Sequence, residues 1–81
     1  MADDIAPRVK RVTAQLLKVD PTKVSESSRF VEDLGAASIQ SIELVAMFEE
    51  EFNIEMDQDE ALGVKTVGDA VAYIRKVVAA Q

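Results

Sequence analysis

The sequence predicts an all-α protein: a small up-and-down helical bundle with three main helices, one short helix and a long first loop. Three features of the 81-residue chain support this fold class. Apolar residues recur every three or four positions along most of the chain, which is the spacing of one helix face. No segment alternates apolar and polar residues as a half-buried strand does. Asp20-Pro21 and Gly63 separate the periodic segments.

The first helix is predicted by a single apolar stripe, formed by Ile5, Val9, Val12 and Leu16. It must end before Pro21, because the residue that precedes a proline is pushed out of the helical conformation. A long connection then runs to Gly35. We expect this connection to be ordered, since apolar residues along it can attach it to the core: Val24, Phe30, Val31 and Leu34.

A second helix is predicted from Ser38 to Asn53, a residue type that tolerates the left-handed conformation at a helix C-terminus. Its core stripe comprises Ser41, Leu44, Val45, Phe48 and Phe52. An adjoining apolar stripe is bordered by glutamates and consists of Ile39, Ile42 and Ala46. This second stripe either widens the core or forms an exposed contact site ringed by charge.

Two further helices complete the predicted bundle. A short one should span Asp57 to Leu62 and stop at Gly63. The last helix should follow Thr66, because a threonine with Asp69 three positions later resembles a capping box. Its buried stripe is predicted to be Val67, Ala70, Val71, Ile74, Val77 and Val78.

Charge is strongly segregated along the chain. Residues 30–64 contain ten carboxylates and no lysine or arginine, whereas the rest of the chain has five carboxylates and nine basic residues. Like charges held together destabilise a fold, so this clustering suggests a use. An acidic surface that only maintains solubility explains the sign of the charge but not its clustering. We therefore expect a docking face for basic partners.

Composition excludes several classes of function. The chain has no histidine and no cysteine, so it lacks the usual general base and the usual metal ligands. Net charge is −6, which argues against nucleic acid binding. No apolar run suggests membrane insertion, and no secretory signal is evident. We expect a single domain over residues 1–81, acting as a cytoplasmic monomer, with no catalytic and no metal site.

Ser38 is the residue with the greatest chemical interest. A serine at the start of a helix is most often just a cap. The same position also suits a phosphate ester, because free N–H groups and the positive end of the helix dipole stabilise a phosphate there. No histidine, lysine or arginine lies nearby in sequence to activate the hydroxyl. Modification of Ser38 would therefore require another enzyme.

Several runs of residues resemble the acyl carrier proteins, most closely the free-standing bacterial type of fatty acid synthesis. They are residues 30–39 (Phe-Val-Glu-Asp-Leu-Gly-Ala-Ala-Ser-Ile), 42–45 (Ile-Glu-Leu-Val), 48–52 (Phe-Glu-Glu-Glu-Phe) and 66–70 (Thr-Val-Gly-Asp-Ala). The resemblance covers nearly the whole chain. It implies a protein that is not an enzyme and that holds acyl groups as thioesters on 4′-phosphopantetheine, attached to Ser38 by a phosphodiester.

The resemblance also implies roles for other residues. Partners would be a phosphopantetheinyl transferase and basic-faced enzymes of acyl transfer and of fatty acid or related lipid synthesis. The partner-binding residues would be Ile39, Ile42, Glu43, Ala46, Glu49 and Glu50. The acyl chain would enter a pocket formed by Leu44, Phe48, Phe52, Met56, Val64 and Tyr73.

One departure from the family pattern matters. The family motif is Asp-Ser-Leu, and this chain has Ala37-Ser38-Ile39. In the family the aspartate helps to hold magnesium while the transferase acts. This departure favours one alternative, a degenerate carrier fold that binds partners without the arm. Two others stay open independently of it: a carrier of amino acids or polyketide units, and a helical interaction module unrelated to carriers.

Overall fold

Four α-helices account for most of the chain. The computed structural model describes residues 4–80, and within this range it contains no strand. The helices are α1 (Ile5–Leu17), α2 (Ser38–Phe52), α3 (Gln58–Leu62) and α4 (Val67–Ala80). A long connection, which includes a 3-10 turn at Pro21–Lys23, joins α1 to α2. The predicted all-α fold, with three main helices and one short helix, is confirmed.

Helix α1 packs against both α2 and α4. Its predicted stripe faces the core, with Ile5, Val9 and Val12 buried and Leu16 half-buried. Thr13 and Ala14 are also buried, although the sequence stripe did not include them. A helix that contacts two others needs a wider buried face than a single stripe supplies.

The two apolar stripes of α2 have different environments. Leu44 and Phe48 are buried in the core, whereas Ile39 and Ile42 are 65% and 54% exposed. The second stripe therefore does not widen the core. Helix α2 ends as predicted at Asn53, whose φ of 54° is left-handed.

The long connection is attached to the core by three of its four predicted residues. Val24 and Phe30 are buried, and Leu34 is half-buried against the core. The prediction for Val31 is wrong, because its side chain is 57% exposed. Phe30 fills the core position, and Val31 lies in the turn that the Gly35 N–H closes by donating to the Val31 carbonyl at 3.1 Å.

Three backbone hydrogen bonds join this connection to the region where α4 begins; we call them the connection–α4 clamp. The N–H groups of Phe30, Val67 and Gly68 donate to the carbonyl oxygens of Lys65, Ser28 and Glu26, at 3.0, 2.9 and 2.8 Å respectively. A Cβ atom on residue 68 would lie only 2.9 Å from the Glu26 carbonyl oxygen, so the close approach requires glycine.

The start of α4 is fully capped by these contacts and by Thr66. The Thr66 hydroxyl oxygen accepts a hydrogen bond from the Asp69 N–H at 3.1 Å, as the capping-box pattern predicts. The buried stripe of α4 includes Val67, Val71 and Ile74, with Val77 and Val78 half-buried. These contacts fix α4, and through the clamp they fix the connection.

A charged cluster joins α1 to the end of α2. The Glu51 carboxylate accepts hydrogen bonds from Arg8 Nε and Arg11 Nη2, both at 2.8 Å. Arg8 also donates to the Glu51 carbonyl oxygen at 2.7 Å, and its guanidinium lies 4.5 Å from the centroid of the Phe52 ring. These contacts lower the pKa of Glu51, chiefly through the Arg8 hydrogen bond.

This cluster predicts how stability depends on pH. Because the folded-state pKa of Glu51 lies below its ordinary value of 4.5, its contribution is complete above that value and is lost as pH falls through the lower folded pKa. Glu51→Gln should therefore lower the melting temperature at pH 7 and lose less additional stability on acidification than the parent chain. Glu55→Gln, an exposed carboxylate in the same region, is the control. Parallel pH profiles for Glu51→Gln and the parent chain would contradict this assignment.

Candidate functional site

Ser38 is the first residue of α2, and its side chain is exposed. The chain reaches it through a turn at Gly35, whose φ of 74° favours glycine. Ala36 then anchors the backbone: it is buried, and its N–H donates to the Phe30 carbonyl at 2.8 Å. Ala37 is extended at the N-cap position. The Ser38 hydroxyl therefore lies at the surface, on a backbone that the Ala36 hydrogen bond holds in place.

The N-terminus of α2 is only partly capped. The Gln40 side-chain oxygen accepts a hydrogen bond from the Ala37 N–H at 2.9 Å, which is one half of a capping box. Ala37 has no side-chain acceptor for the other half, and no side-chain cap is made in the described structure. The first N–H groups of α2 therefore have no side-chain cap in the described structure, in contrast to the start of α4.

An apolar cleft of about 790 Å³ opens beside Ser38, which lines it. Four of the residues predicted for the acyl pocket line this cleft: Leu44, Phe48, Met56 and Val64. Several other residues that were not predicted from the sequence also line it, including Ala36, Ser41, Val45, Ala61, Leu62 and Ala70. Ala61 and Leu62 belong to α3, and a five-residue helix is too short for its periodicity to reveal an inner face.

Two of the predicted pocket residues do not line the cleft. Phe52 packs its ring against the Arg8 guanidinium at the α1 side of the bundle. Tyr73 is turned toward the segment before α3, where its hydroxyl oxygen accepts a hydrogen bond from the Asp57 N–H at 2.9 Å. Phe52 and Tyr73 therefore lie outside the cleft in this structure, and their part in an acyl-chain pocket stays a prediction.

Side chains from two helices hold the segment that leads into α3. The Tyr73 hydroxyl oxygen accepts a hydrogen bond from the Asp57 N–H, and the Glu49 carboxylate accepts a hydrogen bond from the Met56 N–H at 2.8 Å. Met56 is buried and lines the cleft. Glu49 is half-buried, whereas Glu43 and Glu50, the other predicted docking carboxylates, are exposed. Glu49 thus has a structural role that sequence reasoning did not identify.

The two basic residues that flank the acidic segment meet at the cleft. Arg29 and Lys65 both line it. The connection–α4 clamp brings them there, because the Phe30 N–H donates to the Lys65 carbonyl and Arg29 pairs with Thr66. Arg29 is paired with Asp33, with Nε and Oδ2 3.1 Å apart. The cleft therefore has an apolar interior and a rim that carries both signs of charge.

Neither a metal site nor a membrane span emerges from residues 4–80. This part of the chain gathers no set of three or more potential metal-ligating side chains. It also has no helix with the length and apolar character required to cross a membrane.

Comparison with known proteins defines the class of this protein. A family model described as the phosphopantetheine attachment site matches residues 7–74. The acyl carrier protein of Sinorhizobium fredii is 51% identical over 76 residues, which is 94% of this chain and 97% of that protein. The same figures hold for the acyl carrier protein AcpP of Rhizobium meliloti. The structure of a proposed acyl carrier protein of Mycobacterium tuberculosis superposes with a TM-score of 0.83 at 25% identity, covering 89% of this chain and 96% of that one.

These matches define a carrier protein, not an enzyme. The chain belongs to the acyl carrier protein family. It bears covalently attached 4′-phosphopantetheine and serves fatty acid synthesis, interacting with the enzymes of that process and with a transferase.

The hydrogen bond to Tyr73 predicts a local effect on the wall of the cleft. Tyr73→Phe keeps the ring but leaves the Asp57 N–H without its acceptor, so amide hydrogen exchange at Asp57 should accelerate. Global stability should fall by about 0.5–1 kcal/mol, the usual net value of one hydrogen bond. NMR-detected exchange and a melting curve measure the two effects, with exchange at Ile74 in the α4 core as the internal control. Unchanged exchange at Asp57 would show that this hydrogen bond does not hold the segment.

Proposed function

We propose that Ser38 bears the 4′-phosphopantetheine group and that the chain delivers acyl thioesters from it to cytoplasmic enzymes of fatty acid or related lipid synthesis. One observation carries the assignment: Ser38 is an exposed hydroxyl at the start of α2, on the rim of an apolar cleft. A group attached there has solvent on one side, where a partner can reach it, and an apolar interior on the other.

The surroundings of Ser38 fit a phosphodiester. The N–H groups at the start of α2 lack a side-chain cap, so they can interact with phosphate oxygens. Lys65 on the cleft rim adds positive charge in a region that is otherwise acidic, whereas the charge of Arg29 is already paired with Asp33. The attached group supplies a terminal thiol that forms thioesters; the residues of this chain position it and shelter its cargo.

We further propose that the cleft receives the acyl chain. Leu44, Phe48, Met56 and Val64 provide apolar surface, and burial of an acyl chain against it is favourable by about 25 cal/mol per Å² of apolar area. Phe52 and Tyr73 act from outside the cleft. Phe52 packs at the α1–α2 contact, and Tyr73 holds the segment before α3.

The partner face proposed for α2 has an apolar centre and an acidic rim. Ile39, Ile42 and Ala46 are all exposed and form the centre. Glu43 and Glu50 are exposed carboxylates on the rim that can meet lysine and arginine side chains of partner enzymes. Glu49 can contribute charge as well, but its reversal would also remove the Met56 hydrogen bond, so Glu43 and Glu50 are the cleaner probes of docking.

Attachment to Ser38 is tested by loading purified apo-protein with coenzyme A and a bacterial phosphopantetheinyl transferase. Intact mass should increase by one phosphopantetheine, and Ser38→Ala should abolish the increase. Ser41→Ala is the matched control, because Ser41 is a serine on the same helix that also lines the cleft. It should load normally. An increment that survives Ser38→Ala, or one that is lost with Ser41→Ala alone, would contradict the assignment.

Ala37 gives a second way to examine the loading reaction. If the missing carboxylate limits magnesium binding during transfer, Ala37→Asp should accelerate loading of Ser38 by a transferase of the common bacterial type. It should also cap α2 and place negative charge at its positive end, together worth about 1 kcal/mol of stability.

The controls Ala37→Asn and Ala37→Ser separate these two effects. Both can cap the helix, but neither has a charge for magnesium. All three variants should raise the melting temperature, and only Ala37→Asp should speed holo-protein formation at fixed magnesium. If the parent chain already loads as fast as Ala37→Asp, the carboxylate is not required and the metal-ligand argument fails.

A further inference from the structure

Thr13 has a buried hydroxyl that the site described above does not use. The residue belongs to α1 and is fully buried, with 0% exposure. Its Oγ1 atom has no hydrogen-bond partner within residues 4–80. A buried hydroxyl without a partner destabilises a fold, because the hydrogen bonds that it makes with water in the unfolded chain are not replaced. Valine has nearly the same shape without this cost, so the hydroxyl at this position needs an explanation.

The charged cluster between α1 and α2 shows where Thr13 lies along α2. Arg8 and Arg11 both donate to Glu51, one residue before α2 ends at Phe52. Because α1 packs against α2 and Arg8 is near the start of α1, the rest of α1 runs back along α2 from this end. Thr13 is five residues beyond Arg8, which is about 7.5 Å along the helix axis. It therefore lies level with residues 44–48 of α2.

This register places Thr13 beside the inner wall of the apolar cleft. Leu44 and Phe48 occupy the same level of α2, and both are buried in the core and line the cleft. Thr13 does not line the cleft itself. An acyl chain that enters the cleft and displaces the side chains of Leu44 and Phe48 would reach the level of the Thr13 hydroxyl.

The depth of Thr13 indicates which part of the cargo would reach it. Its level on α2 is about eight residues from Ser38, or about 12 Å along the helix axis. The thioester and the amides of the attached arm are polar and remain hydrated outside the apolar interior, so the first carbons of the acyl chain lie near the rim. A group at the level of Thr13 is therefore one carried further along the chain.

The chemistry of a threonine hydroxyl selects the kind of group. The hydroxyl both donates and accepts hydrogen bonds, which suits a hydroxyl or keto oxygen. An oxygen substituent that enters an apolar cleft without a partner loses its hydrogen bonds with water, as the Thr13 hydroxyl already does. Pairing the two groups satisfies both of them.

We propose that Thr13 is a specificity-determining residue of the cleft, and that its hydroxyl hydrogen-bonds an oxygen substituent carried on the acyl chain away from the thioester. The inference rests on the proposed function, since it names the class of cargo that the carrier holds: acyl chains with a hydroxyl or keto group remote from the attachment point.

The test compares cargoes of equal length on Ser38. A bacterial phosphopantetheinyl transferase, supplied with the corresponding acyl-coenzyme A, loads decanoyl, 3-hydroxydecanoyl, 8-hydroxydecanoyl or 10-hydroxydecanoyl groups. The proteins are the parent chain, Thr13→Val and Thr13→Ser. Intact mass verifies that each protein is loaded, and a melting curve then measures the stability of each loaded form.

The melting temperatures should depend on cargo and variant together. With the parent chain, at least one remote hydroxyl isomer should melt within about 2 °C of the decanoyl form or above it, because Thr13 satisfies the buried oxygen. With Thr13→Val, the same isomer should melt about 4 °C or more below the decanoyl form. The 3-hydroxydecanoyl form should shift equally in both proteins, because its hydroxyl stays near the rim.

Two controls separate the hydroxyl from the packing of the side chain. Thr13→Ser keeps the hydroxyl and loses a methyl group, so it should lower all the melting temperatures together and retain the preference of the parent chain. Without cargo, Thr13→Val should melt above the parent chain, because it removes an unpartnered hydroxyl and preserves the shape of the side chain.

Three outcomes would overturn the inference. One is normal loading with the same series of melting temperatures in the parent chain and Thr13→Val. Another is unloaded Thr13→Val melting below the parent chain, because the hydroxyl would then have a partner in the folded protein. The third is no added mass on Ser38, which would overturn the proposed function as well and is seen at the loading step, before any comparison of cargoes.

Discussion

The connection–α4 clamp determines where the long connection runs and therefore where Ser38 lies. The segment between α1 and α2 is long and has only one short 3-10 turn, so its own secondary structure cannot fix its course. Backbone groups of Glu26, Ser28 and Phe30 are instead paired with residues at the start of α4. Phe30 then enters the core and its carbonyl holds Ala36, two residues before Ser38. The position of the serine at the rim of the cleft follows from this chain of contacts.

The two long helices that begin after loops, α2 and α4, differ in how their N-termini are capped. At α4 the clamp and Thr66 supply acceptors for the first N–H groups, which maximises stability. At α2 the N-cap is Ala37, and only Gln40 contributes a capping contact. An uncapped helix start costs stability on the order of 1 kcal/mol. It also leaves N–H groups that can interact with a phosphate on Ser38, the attachment site proposed above.

Sequence patterns predicted the helices well because burial and capping are local signals. The Thr66–Asp69 cap and the left-handed Asn53 were both readable from residue type and spacing. The cleft was predicted less completely. Its α3 wall comes from a helix too short to show periodicity, and the orientation of Tyr73 depends on an amide sixteen residues away. The structural role of Glu49 was not predicted either. Its carboxylate accepts a hydrogen bond from the Met56 N–H, which lies in a loop, and sequence periodicity does not reveal contacts with a loop.

We propose that this chain works as a carrier through a single modified serine, and the mass of the protein as its own cells make it tests this directly. Purification from the native host, followed by intact-mass analysis and mapping of the modified peptide, examines the claim without any added enzyme. We expect a major species heavier by one phosphopantetheine, with or without an acyl group, and with the modification on Ser38. A native protein found entirely unmodified, or modified only at another residue, would contradict it.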